Sequence, residues 1–158
     1  MTPSEALKIF PQWVSGYYAH GEGADKLEYK ALEHPLPTML SMNPSELQQC
    51  MEVSPALPGG SDEQLFRLGV QSGAFIKLRE IVVYLDKGVE DPRDGHALRR
   101  WDDVEIKQIW CDQSVWESTW AFHCLQSDLD DRKKAGKMSR KVDMVRLRGG
   151  NHFVSLLP

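Results

Sequence analysis

Cysteine is scarce in this sequence and is not arranged in pairs. Cys50, Cys111 and Cys124 are an odd number of thiols, and no Cys-x-x-Cys segment occurs. A chain of 158 residues buries enough surface to fold without disulfides. His123 adjoins Cys124, but no fourth ligand follows at a spacing typical of zinc sites. We therefore expect a reducing, cytoplasmic compartment and neither a metal nor another cofactor.

Long apolar runs and an excess of positive charge are also missing. The chain has 19 Lys and Arg against 23 Asp and Glu, for a formal net charge of −4. Its apolar runs are far shorter than the about 20 residues of a membrane-spanning helix. The first residues show no basic segment followed by an apolar one, so no secretory signal is expected. We therefore expect no membrane insertion and no nucleic-acid binding.

In residues 1–88, proline and glycine separate short segments whose patterns are typical of helices. Ser4 is placed to cap the first helix, and Pro11 stands where a new turn would begin. Apolar residues then recur at about one helical turn, which predicts a further helical stretch. These residues are Trp13, Val14, Tyr17 and Tyr18. The region is therefore predicted to be mainly α-helical.

Two later segments carry signals for a helix start. Asn43 followed by Glu46 has the form of a capping box, with a proline at the first helical position. Ser61 begins a similar segment, and the helix that follows is predicted to bend at Gly73. Residues 89–100 are rich in turn formers and poor in apolar side chains, which predicts an exposed loop.

The last part of the chain, residues 101–158, reads as strand, helix, strand. Residues 104–110 and 141–147 are rich in β-branched and apolar side chains, whereas residues 115–134 show helical spacing. Such a unit is typical of a parallel, right-handed crossover. We therefore predict one α/β domain over residues 1–158, in which a helical region precedes a short parallel sheet.

The sharpest chemical signal is a histidine just past the second predicted strand. His152 follows Gly149, Gly150 and Asn151. Catalytic groups of open α/β sheets gather at the carboxyl ends of strands, and glycines there allow a sharp turn. A histidine can accept and return a proton near neutral pH. The alternative is a surface-loop histidine without a partner.

The two strands and their following loops resemble the last two strands of an α/β-hydrolase. The segments that carry the resemblance are residues 109–114, Ile-Trp-Cys-Asp-Gln-Ser, and residues 142–153, which end in Gly-Gly-Asn-His-Phe. Residues 10–21 are similar to the helical cap of fungal-type members. The resemblance implies that His152 is the catalytic base and that Asp112 lies near the position of the catalytic acid, two residues before the family's usual place at Ser114.

The chain departs from that family in lacking a nucleophile. No Gly-x-Ser-x-Gly segment is present, since Gly69 and Gly73 flank Ser72 at the wrong spacing and in a helical pattern. The oxyanion-hole loop has no counterpart either. Loss of the nucleophile leaves little of the chemical step. We therefore expect an α/β-hydrolase-like protein that is inactive alone in ester hydrolysis.

Two other interpretations are compatible with the sequence. A noncatalytic binding or interaction domain would use cap aromatics, such as Trp13 and Phe66, to hold a small hydrophobic ligand or a partner chain. Alternatively, the chain is a fragment of a longer gene product. In each case, a short sheet with an uncovered edge predicts self-association as a homodimer or pairing with a complementing chain.

Overall fold

A computed structural model describes residues 3–50, 52, 54–84 and 104–153. The described part of the chain is mixed helix and strand, with a small parallel sheet, so the coarse α/β prediction is confirmed. The helices before the sheet are α1 (Pro3–Val14), α2 (Pro44–Cys50), α3 (Ser61–Gln71) and α4 (Ala74–Arg79). The predicted loop at 89–100 lies outside the described residues.

The helix signals near the N-terminus were only partly correct. Helix α1 continues through Pro11 and ends at Val14, so no new helix begins at the proline. Tyr17 and Tyr18 are not helical, although their spacing predicted it. The backbone N–H of Tyr18 donates to Gln113 O (3.1 Å), and Leu32 N donates to Tyr17 O (2.7 Å). These long-range hydrogen bonds hold the segment outside a helix, which no local pattern can reveal.

The capping box at α2 is confirmed. Asn43 Oδ1 accepts hydrogen bonds from the N–H groups of Ser45 and Glu46, and Glu46 Oε2 accepts one from Asn43 N (2.7 Å). The prediction at Ser61 was wrong in detail, because Gly60 occupies the N-cap of α3 and makes no side-chain cap. Gly73 separates α3 from α4 with φ at +68°, as the bend required.

The strand–helix–strand unit consists of β1 (Ile106–Cys111), α5 (Trp116–Lys134) and β2 (Val142–Leu147). The two strands are hydrogen-bonded neighbours. At the end of β1, Asp112 N donates to Leu147 O at the end of β2 (3.2 Å). Both carboxyl ends therefore lie at the same edge, and the strands run parallel. Gly136, with φ at +65°, follows α5 where the sequence predicted a stop.

The chain forms two compact units, each discontinuous in sequence. The first contains Met1–Gln49, Gln108–Asp128 and Met144–Pro158, and the second contains Cys50–Lys107 and Leu129–Asp143. Neither coincides with the predicted regions 1–88 and 101–158. In the first unit the buried side chains include Tyr18, Met39, Trp110 and Val115.

In the second unit, a buried arginine fixes a π-helical turn. The turn, Glu80–Tyr84, follows α4 directly. Arg140 is 7% exposed. Its backbone N–H donates to Val83 O (2.8 Å), and its side-chain Nε donates to Val82 O (2.9 Å). Carbonyl groups left without helical partners need such donors when buried. In the described ranges, no helix combines the length and the apolar character that a membrane crossing requires.

Candidate functional site

The loops that follow β1 and β2 are joined at the carboxyl edge of the sheet. Gln113 N donates to Gly150 O (3.0 Å), adding to the Asp112–Leu147 hydrogen bond. A Cβ at Gly150 would lie 3.3 Å from Cys111 Sγ, which is a tight contact. The glycine therefore lets the two loops approach each other. This edge is the place where chemistry is expected in a parallel sheet.

His152 lies in the turn after β2 and is exposed. Its ring centroid is 6.0 Å from that of Phe153, with the rings nearly perpendicular. Within residues 104–153 and the other described ranges, no hydrogen bond joins the imidazole to a carboxylate. The placement beside the end of β2 agrees with the sequence analysis, and the role of His152 as a base stays a prediction.

Asp112 is engaged with groups other than His152. Its Oδ2 accepts a hydrogen bond from Arg146 Nε (2.9 Å), and its Oδ1 accepts one from Gly149 N (2.8 Å). The side chain is only 13% exposed. The expected hydrogen bond between Asp112 and His152 is therefore not among the contacts of the described residues. In this arrangement, Asp112 shapes the turn that precedes His152.

Arg146 joins Asp112 to a second carboxylate. Its Nη1 donates to Glu22 Oε1 (2.7 Å), and its guanidinium carbon lies 5.3 Å from the centre of the Trp110 ring. The hydrogen bond from Arg146, together with its positive charge, lowers the pKa of Glu22. The edge therefore carries two carboxylates on one guanidinium, a cluster with one excess negative charge.

Asn151 is a structural residue that the sequence analysis named only as part of the histidine motif. It is fully buried, and its Nδ2 donates to Ser15 O (2.6 Å) and to Thr38 Oγ1 (2.7 Å). Its Oδ1 accepts from Phe153 N (2.9 Å). Asn151 thus anchors the turn that carries His152. The only signal in the sequence was a polar residue directly after two glycines.

His20 is a second residue that the sequence analysis missed. Its Nδ1 accepts a hydrogen bond from Glu28 N (2.9 Å), so this nitrogen carries no proton. Its Nε2 then donates to Ser114 O (2.7 Å). The ring also stacks on Tyr18, with centroids 5.9 Å apart and planes 7° from parallel. His20 therefore ties two loops together as a neutral ring.

Ser114 and Ser72 offer no activated nucleophile. Ser114 is 2% exposed, and its Oγ has no hydrogen-bond partner. Ser72 donates its hydroxyl proton to Leu68 O (2.6 Å), a carbonyl of its own helix. A nucleophilic serine needs an exposed Oγ beside a base, and neither residue has one. Ser155 lies outside the described residues.

The thiols and histidines form no metal site in the part of the chain that the structure describes. All three cysteines are free: Cys111 is buried, Cys124 is half-buried and Cys50 is exposed. Burial raises the pKa of the Cys111 thiol, and the negative charge of Asp112 adds to the effect. Such a thiol is protonated near neutral pH and is a poor nucleophile.

The cap aromatics do not form one pocket in either unit. Tyr17 and Tyr18 are buried in the first unit, whereas Phe66 and Phe75 are exposed in the second. The second unit also has a cavity of about 550 Å³. Its lining residues are Phe75, Ile76, Arg79, Glu80, Tyr84 and Arg132.

Comparison of the chain with family models, with curated proteins and with solved structures gave no match. The resemblance to α/β-hydrolases therefore stays a prediction from the motif residues.

Proposed function

We propose that this chain is an α/β-hydrolase-like protein that lacks its own nucleophile and does not hydrolyse esters alone. The observation that carries the proposal is the β1–α5–β2 crossover, whose two following loops are joined and present His152 to solvent. In an active assembly, a serine from another polypeptide would attack the ester, and His152 would accept the serine proton. The free thiols are compatible with a cytoplasmic location.

The isolated chain falls short of that chemistry for two reasons. A histidine base is effective when a carboxylate orients it, but the Asp112 carboxylate is bound to Arg146 and to the Gly149 N–H. Ser114 is buried, and Ser72 donates its hydroxyl proton to a carbonyl of its own helix. We therefore expect His152 to accept no serine proton until another polypeptide supplies the nucleophile.

Ester turnover and covalent labelling test the first half of this proposal. The purified chain is expected neither to hydrolyse activated aryl esters faster than His152→Ala does, nor to react with a serine-directed fluorophosphonate. Stoichiometric labelling of a serine, or turnover that the His152→Ala variant loses, would show that the chain has its own nucleophile.

The coding sequence immediately upstream tests the other half. An α/β-hydrolase-like function predicts that this sequence encodes a Gly-x-Ser-x-Gly segment after a strand pattern. A polypeptide that joins it to this chain should then hydrolyse esters, and His152→Ala should abolish the activity. An upstream sequence without that segment would instead favour a noncatalytic function.

A noncatalytic interaction module is the second candidate, and one surface favours it. Helices α3 and α4 expose many large apolar side chains, which is unusual for a protein without a partner. The exposed residues are Leu65, Phe66, Leu68, Val70, Phe75, Ile76 and Leu78. This set, called here the α3–α4 surface, would serve a protein partner without any chemistry at the sheet edge.

A further inference from the structure

The ring of His20 accepts a hydrogen bond that only a neutral imidazole can accept. Its Nδ1 accepts from the Glu28 N–H (2.9 Å), and its Nε2 donates to Ser114 O (2.7 Å). A second proton on the ring would occupy Nδ1 and turn this nitrogen into a donor. Two N–H groups would then face each other. The bond to Ser114 O is compatible with a protonated ring, whereas the contact with Glu28 is not.

The bond between His20 and Glu28 joins the two ends of one loop, residues 21–28. The loop begins directly after His20, and Glu28 is its last residue. Inside it, Gly21 N donates to Lys26 O (2.9 Å). Loss of the His20–Glu28 bond would therefore detach the far end of the loop from the imidazole.

The 21–28 loop also carries Glu22, which binds the carboxyl edge of the sheet. Glu22 Oε1 accepts from Arg146 Nη1 (2.7 Å), and Arg146 Nε donates to Asp112. The Glu22 side chain is 78% exposed. An ion pair that is so exposed is too weak to hold a loop by itself. The contact between Glu22 and Arg146 thus depends on where the rest of the loop is held.

Ionisable groups lie on each element around His20. Burial and the negative charge of Glu117 raise the pKa of Tyr18, so its hydroxyl stays protonated near neutral pH. Carboxylates and lysines ordinarily change charge outside the range of about pH 5–8, in which histidine titrates. His123 on α5 is of the same residue type, and its charge acts on Glu22. The other neighbours are Lys26 and Glu28 in the loop, Asp112 before Ser114, and Arg146 on β2.

We propose that His20 is a pH-sensitive switch, whose protonation releases the 21–28 loop and with it the contact of Glu22 with Arg146. Near neutral pH the ring accepts the Glu28 N–H and the loop is closed. In mild acid the ring takes up one proton from solvent, and the Glu28 N–H loses its acceptor. A carboxylate then leaves the sheet edge that precedes His152. The switch does not rest on the hydrolase-like function.

NMR titration of the full chain, labelled with ¹⁵N and ¹³C, from about pH 8 to about pH 5 tests the switch. At the neutral end, the His20 ring should be the tautomer protonated at Nε2. As the pH falls, the Glu28 amide proton should shift upfield with the same midpoint as the His20 ring protons, because both report one event. The Leu32 amide, which donates to Tyr17 O, is the internal reference and should not follow. A Glu28 amide that ignores the His20 titration, or a neutral ring protonated at Nδ1, would overturn the proposal.

Hydrogen exchange separates loss of the bond from the mere effect of a nearby charge. After correction for the intrinsic rate, protection of the Glu28 amide should fall about fivefold in mild acid, as expected for one lost hydrogen bond. In His20→Asn, which cannot take up the proton, this dependence on pH should disappear. His123→Asn is the matched control and should keep it. The opposite result for either variant would contradict the role of His20, and far-UV circular dichroism checks that both fold.

The Glu22 carboxyl reports the second half of the proposal. Its ¹³C signal should shift in step with the His20 ring, at a higher pH than its own titration, because the hydrogen bond from Arg146 lowers the pKa of Glu22. This early step should be absent in His20→Asn and present in His123→Asn. A step that instead disappears with His123 would mean that Glu22 senses the charge of that ring and is not released by the loop.

Discussion

Asn151 and His152 are neighbours with opposite environments. The amide of Asn151 is fully buried between Ser15 and Thr38, whereas His152 is exposed. The stability of the turn therefore depends on Asn151, and any chemistry there depends on His152. Substitution of Asn151 should therefore change the stability of the chain, whereas substitution of His152 should not.

Asn151→Ala should lower the free energy of unfolding by about 2–4 kcal/mol, because it removes two donors and leaves buried acceptors at Ser15 O and Thr38 Oγ1. His152→Ala should change it by less than about 0.5 kcal/mol, as is usual for an exposed side chain. Urea denaturation followed by tryptophan fluorescence measures both. Equal losses would contradict the anchoring role of Asn151.

The carboxyl of Glu22 should titrate below its ordinary range. The hydrogen bond from Arg146 and its charge lower the pKa in the folded chain, so the pair contributes stability above the unfolded pKa of Glu22. This contribution is lost as the pH falls through the lower folded pKa. NMR titration of the carboxyl carbon measures the shift.

Arg146→Gln should return the pKa of Glu22 toward its ordinary value. Lys134→Gln is the control, because Lys134 pairs with Asp131 and not with Glu22. An unchanged Glu22 titration in the Arg146 variant would mean that the contact seen between these residues does not persist in solution.

At the scale of elements, the contact between α3 and α4 depends on a glycine. Gly69→Ala should displace the Phe75 ring, because the new Cβ would lie 2.4 Å from Phe75 Cζ. The free energy of unfolding should change by no more than about 1 kcal/mol, since the ring is exposed and can move and alanine favours a helix. In a Phe75→Ala background, the same change should be neutral or stabilising, since alanine favours a helix over glycine by about 1 kcal/mol. A double-mutant cycle by chemical denaturation measures the coupling. Additive effects would mean that the ring does not rest on Gly69.

Elements that depend on neighbouring residues were predictable from the sequence. The Asn43 capping box, the bend at Gly73 and the β1–α5–β2 unit depend on contacts a few residues apart or on simple periodicity. Tyr17 and Tyr18 were placed wrongly in a helix. Their backbone groups are held by Leu32 and Gln113, which are distant in sequence, so the local pattern carried no information about them.

The candidate site was predictable in position but not in its contacts. The glycines before His152 indicated a turn after β2, because such residues permit sharp turns wherever they occur. The partners of Asp112 come from β2 and its turn, and those of Asn151 come from α1's following segment and the 3₁₀ turn at Thr38–Leu40. Apolar periodicity reports which face is buried, and it says nothing about which polar groups meet.

At the scale of the whole molecule, the sequence indicated which faces were apolar but not what covers them. Phe66 was named among the aromatic residues that could hold a hydrophobic ligand or a partner chain, and it is exposed on the α3–α4 surface together with Phe75. The sequence pattern also suggested a boundary between residues 1–88 and residues 101–158. Each of the two units instead contains segments from both regions. Which segments form one compact unit depends on long-range contacts, and these contacts cannot be read from the composition along the chain.

The hydrogen bond from Asn151 to Ser15 joins residues 136 positions apart in the first unit. This unit needs all three of its segments, the last of which begins at Met144. During synthesis on the ribosome, this unit therefore cannot be completed before the segment that begins at Met144 has emerged. Closing so long a loop costs entropy before any contact offsets it, which slows folding. Until that segment emerges, apolar side chains of the first unit such as Tyr18 and Met39 lack their final neighbours, and side chains exposed in this way favour aggregation.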